Sequence, residues 1–115
     1  MMTLKQQIKT VLQISKSKLQ QEDNWCKNAT ALDKNNTKVS PTSKDAVKFC
    51  SLGIIRNVLS SERYHICFSD VYSVLETATI SKFKTINSPT LVNDGLGHKA
   101  VIDIYDEAIK IIDEE

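Results

Sequence analysis

Five side chains in this sequence could bind a metal or act in nucleophilic chemistry: Cys26, Cys50, Cys67, His65 and His98. Structural zinc sites use ligand pairs a few residues apart. Only His65-x-Cys67 is that close, and a two-residue step does not place both side chains on one helical face. A Cys/His nucleophile pair, with Cys50 or Cys67 and His98, would need a low-pKa thiolate beside a base. Cys50 stands among apolar residues, which favour the inert thiol, and Cys67 adjoins Phe68. Cys26 and Cys50 therefore read as small buried hydrophobes. A Cys26–Cys50 disulfide is sterically conceivable, but a reducing cytosol opposes it. There is no serine elbow, paired-carboxylate pattern or phosphate-binding glycine loop of known type. The sequence assigns no catalytic residue, no metal ligand and no cofactor.

The best site candidate is Asn93-Asp94-Gly95-Leu96-Gly97-His98-Lys99. Gly95 and Gly97 free the backbone, and a helix is expected directly after. Open N–H groups at that helix start, aided by His98 and Lys99, could hold a phosphate or carboxylate. The competing reading is structural: Asp94 or a nearby backbone caps the helix, and Gly95 and Gly97 make the turn. Trp25, the sole tryptophan, reads as a core anchor, with a stacking platform for a nucleotide ring as its functional alternative. Arg56 and Arg63 are surface residues, or they face an anionic ligand together with Lys99.

These residues must be positioned by helices. Leu4, Ile8, Val11, Leu12, Ser15 and Leu19 form one apolar stripe, predicting a helix over 3–20 with Thr3 as N-cap. Residues 21–42 carry turn chemistry at Asp33-Lys34-Asn35-Asn36, predicting a short β-hairpin or an ordered loop. Ser40 to Asp45 reads as a helix start, with a widely apolar central helix over about 43–59. Gly53 would sit inside that helix, at roughly 1 kcal/mol against alanine, so close approach by another backbone is expected there. A break at Ser60-Ser61-Glu62-Arg63 precedes a third helical stripe from Tyr64 to Thr79. Residues 82–97 read as an irregular connection, and the last helix spans about 98–113. The expectation is one mainly α domain over 1–115: four helices, with the hairpin or loop between the first two.

The order of motifs then suggests a relationship. Trp25-Cys26-x-x-Ala29, Val47-x-Phe49-Cys50-x-Leu52-Gly53, Asn93-Asp94 and Val101-x-x-x-Tyr105-Asp106-x-Ala108-Ile109 follow one another. This pattern resembles a family of small proteins of unknown function found in bacteria and their phages. Its members carry W-C-x-G-A, W-C-x-L-G-A and W-N-D segments before a final helix. The resemblance covers roughly residues 20–112. Asn28 stands where the family has Gly, Phe49 where it has Trp, and Val92 where it has the Trp before Asn-Asp. The segment from Asp94 to Val101 is also shorter. The family lends no activity, cofactor or catalytic residue; what it implies is a phage or prophage accessory protein.

Charge excludes little but directs the rest. With 15 basic and 14 acidic residues, nothing pulls the whole chain toward nucleic acid or anionic membrane. No apolar run approaches the ~20 residues that span a bilayer. Polar residues follow the first lysine instead of an apolar leader segment, so the expected location is cytoplasmic, in the host cytosol if phage-encoded. The leading reading is a non-enzymatic binding module working through a protein partner or self-association. An oligomer sequestering a nucleotide-like anion is the alternative, and a Cys/His enzyme the third.

Overall fold

The computed structural model describes residues 2–61 and 64–115. Helix α1 (Leu4–Leu19) leads through a short 3-10 turn (Glu22–Asn24) into strands β1 (Ala31–Leu32) and β2 (Lys48–Phe49). Helices α2 (Gly53–Leu59), α3 (Phe68–Phe83), α4 (Pro89–Gly95) and α5 (His98–Glu114) follow. The domain is mainly α, as expected, with a two-stranded antiparallel sheet between the first two helices. The described residues form five α-helices where four were expected.

Helix α1 begins on a capping box. Thr3 Oγ1 accepts from the Gln6 N–H at 3.1 Å, and Gln6 Oε1 accepts from the Thr3 N–H at 2.9 Å. Its stripe buries Ile8, Val11, Leu12, Ser15 and Leu19. Leu4, the first residue of the same stripe, stays 54% exposed. Helix α5 lies against α1, α3 and α4, and supplies Val101, Ile104, Tyr105, Ala108 and Ile112 to the core. Ion pairs Lys9–Asp113 and Lys16–Asp106 line the antiparallel α1/α5 seam. Both are surface pairs, so they select orientation more than they add stability.

The central region departs from expectation. Instead of a helix over 43–59, residues 40–45 turn, 48–49 form β2, and only Gly53–Leu59 is helical. Local hydrogen bonds explain the turn: Ser40 Oγ accepts from the Thr42 N–H, and Ser43 Oγ from the Asp45 N–H. Serine hydroxyls that capture nearby amides compete with helix formation. Phe49 then pairs on both sides, antiparallel with Ala31 and parallel with Trp25. The turn at Asp33–Asn36 forms where expected. Asp33 Oδ1 accepts from the Asn35 and Thr37 amides, and Asn36 takes φ 62°. Among the described residues, the chain returning from that turn bridges β1 once, Lys38 to Leu32, while the main partner of β1 is β2.

Two further corrections concern helix starts. The third helix begins at Phe68, not Tyr64, with the Cys67 N–H donating to Asp70 Oδ2. Arg63, and part of the break placed at 60–63, lie outside the described residues. Within the stretch expected to be irregular, Ser88 Oγ accepts from the Leu91 N–H and Pro89 takes the first helical position, which starts α4.

Gly53 is the first residue of α2 rather than an interior one, and the expected close approach is present. A Cβ there would stand 2.0 Å from the Thr30 carbonyl oxygen. No side chain fits without moving the β1 segment. Gly53→Ala should therefore cost more than about 2 kcal/mol in chemical denaturation. Gly95→Ala is the control. Its Cβ would meet nothing within 4 Å, so stability should stay level or rise by up to about 1 kcal/mol.

Candidate functional site

The polar centre of the molecule is Asn93, fully buried on α4. Its Oδ1 accepts from Trp25 Nε1 at 2.7 Å and from the Ser51 backbone N–H at 2.9 Å. Its Nδ2 donates to the Cys26 carbonyl at 3.0 Å and to Asp94 Oδ1 at 2.9 Å. Ser51, also fully buried, extends the network. Its hydroxyl donates to the Pro89 carbonyl at 3.1 Å, and its carbonyl accepts from the Tyr105 hydroxyl at 2.6 Å. One chain of hydrogen bonds thus joins the Trp25-Cys26 segment, the β2–α2 junction, α4 and α5.

Asp94 does not cap α5. Its Oδ1 accepts from the Asn28 N–H at 2.8 Å, holding Asn28 at φ 64°. That left-handed conformation suits Asn or Gly. Gly97 precedes α5 at φ 95° without a side-chain cap, so the glycine makes the turn. His98 Nε2 donates to the Leu19 carbonyl at 2.6 Å, and its ring stands 5.7 Å from that of Trp25. This ties the start of α5 to the end of α1 and satisfies one of the last carbonyls of α1. Trp25 is half-buried and its indole N–H is committed to Asn93. It anchors the core as expected, at the join of α1, the sheet and α4.

The other candidates scatter. Lys99 is exposed and pairs with Asp103 one turn along α5. Gly95 ends α4 in open space. Arg56 stacks its guanidinium over Phe68 at 4.0 Å, in a surface groove that Thr42, Leu59, Ser60 and Ile66 also line. Of the seven candidate residues, the structure brings Trp25, Asp94, Gly97 and His98 into one region, and it gives all four structural hydrogen-bond or turn duties.

Burial governs the thiols. Cys26 is pushed up to about 11, chiefly by burial, then by the Cys50 and Asp94 charges, with Lys48 opposing. Cys50 also rises through burial, which outweighs the Gly53 and Leu52 amides directed at its sulfur. The Tyr105 hydroxyl is raised well above its ordinary range by complete burial. Cys67 is exposed. Among the described residues, no three His, Cys, Asp or Glu side chains converge as a metal-ligand set. None of the described helices is long and apolar enough to cross a membrane.

A groove of about 400 Å³ opens beside this network, between Asn28 to Thr30, Cys50, Leu52, Thr90 and Asp94. Sequence reasoning missed it. Thr30, Leu52 and Thr90 come from three separate segments with no shared spacing. The Ser88-Pro89 start signal would have shown that Thr90 and Asp94 share a helix.

Compared with known proteins, the chain matches no family model, no curated protein and no solved structure.

Thiol accessibility should follow this burial. At neutral pH an aromatic disulfide reagent should titrate one fast thiol, lost in Cys67→Ser, with the other two reacting only on unfolding. The raised Cys26 thiol also sets an alkaline limit. The unfolded thiol ionises near its ordinary 9 and the folded one near 11, so its stabilisation is intact below pH 9 and lost as pH rises toward 11. The loss from this group should be roughly 2 kcal/mol. Denaturation of the parent chain and of Cys26→Ala at pH 8 and pH 11 should differ accordingly.

Proposed function

We propose that the chain is a non-enzymatic binding module, an accessory protein of phage or prophage origin that works in the cytosol through a protein partner or self-association. One observation carries the reading. The side chains best equipped for chemistry are spent on the scaffold, while large apolar side chains stand in solvent on α4 and its flank. Asn93, Ser51, Tyr105 and His98 each hold a backbone carbonyl or amide, and Cys26 and Cys50 are buried thiols with raised pKa. Leu91, on α4, is 61% exposed and Leu96, the C-cap that follows it, 49% exposed. Two leucines left in solvent on and just after one short helix support this reading, because association would return their apolar surface from water.

The alternative is an oligomer that sequesters a nucleotide-like anion at the start of α5. It is favoured by the absence of a side-chain cap at Gly97, which leaves the first amides of α5 open. It is opposed by the Asp94 carboxylate and by the pairing of Lys99 with Asp103.

The two readings separate by experiment. Sedimentation of the parent chain over a concentration series, alone and with the isolated partner, should reveal a complex. Leu91→Glu with Leu96→Glu should weaken that complex at least tenfold while helix content and Tm stay near the parent values. A chain that remains monomeric and partner-free at every concentration, with or without the substitutions, would overturn the reading. Nucleotide-dependent thermal stabilisation lost in Lys99→Ala would favour the anion reading instead.

A further inference from the structure

We propose that the groove beside Cys50 is a binding site for a primary alkylammonium group, with Asp94 as its counter-ion. The groove has the volume of a small-ligand site, about 400 Å³. Its apolar surface comes from Ala29, Leu52 and the Cys50 side chain, which is only 7% exposed. An alkyl chain of a few carbons gains by lying on such a surface.

Asp94 is the one charged side chain on the lining. Its carboxylate is already oriented: Oδ1 is held by the Asn28 N–H at 2.8 Å and by Asn93 Nδ2 at 2.9 Å. Oδ2 accepts no hydrogen bond from the described residues, and among them Asp94 has no ion-pair partner. A carboxylate fixed on one oxygen and open on the other pays little ordering entropy when a cation arrives. The Thr30 and Thr90 hydroxyls, on the same lining, also make no hydrogen bond with the described residues. An ammonium carries three N–H donors, which matches one carboxylate oxygen and two hydroxyls in number and kind. The sign of the charge turns away an anion, so this groove is distinct from the open amides of α5. The negative field extends to the floor, where Asp94 adds to burial in raising the Cys50 thiol.

The ammonium could come from a free small amine or from a lysine side chain of a partner. The test is a two-dimensional amide NMR titration of the full chain with n-butylammonium, with 1-butanol as its neutral counterpart, and with the blocked peptide Ala-Lys-Ala. The expected result is saturable shifts at residues 28–30, 50–52 and 90–94, with butylammonium binding at least about fivefold more tightly than butanol. Asp94→Asn keeps an acceptor for the Asn28 amide and should bring the two probes to equal affinity. Thr90→Trp, on the exposed face of α4, should fill the groove and abolish both. A peptide that binds more tightly than butylammonium identifies a partner's lysine as the source, and the reverse identifies a free amine. Absence of localised shifts with both ammonium probes overturns the proposal, as does butanol equalling butylammonium on the parent chain. The association reading is tested at Leu91 and Leu96, so the two can fail separately.

Discussion

The side-chain amide of Asn93 holds this fold at its centre. A primary amide offers two donors and two acceptor positions, and here all four are used inside a fully buried site. A satisfied hydrogen bond adds only about 1 kcal/mol net, whereas a buried donor or acceptor left alone costs about 1–3 kcal/mol. The weight of Asn93 therefore lies in what its absence would strand: the Trp25 indole N–H, the Ser51 amide and the Cys26 carbonyl. Helix α4, at seven residues, is too short to persist alone. It is held by its Ser88 cap, by burial of Val92 and by Asn93 reaching back across the chain.

Other constraints lean on this one. Ser51 is fixed at its amide by Asn93, at its hydroxyl by Pro89 and at its carbonyl by Tyr105. The β2–α2 junction is thereby locked against α4 and α5, and Gly53 can press against the Thr30 carbonyl. Asp94, next to the hub, hooks the left-handed Asn28. His98, on the other side of Trp25, closes the end of α1. Trp25, Asp94 and His98, three of the residues suited to binding, are among those that join the segments. What they leave is a groove with one unspent carboxylate oxygen and an α4 surface with exposed leucines.

Much of this was legible from residue order. The α1 stripe and its Thr3 cap follow from helical spacing and capping chemistry, and the last helix lies where its span was expected. Gly53 pointed to a close backbone approach, although in a different structural setting. The stretch 43–52 misled because its apolar residues suit a helix and a strand alike. Phe49 settled the matter through pairing with Trp25 and Ala31, partners distant in sequence. Helix α4 was hidden by its length, even though Ser88-Pro89 announced it. The Asn-Asp pair marks, by its residue types, a turn before a helix. That Asn93 would point inward, toward Trp25 and Ser51, depends on tertiary contacts that no local pattern encodes.

The most direct measurement of the central role of Asn93 is a double-mutant cycle of Asn93→Ala with Trp25→Phe, followed by circular dichroism in denaturant. The account predicts that Asn93→Ala alone costs about 3 kcal/mol or more. It also predicts that Trp25→Phe costs at least about 1 kcal/mol less in the Asn93→Ala background than in the parent chain. Strict additivity, or an Asn93→Ala cost below about 1 kcal/mol, would contradict it.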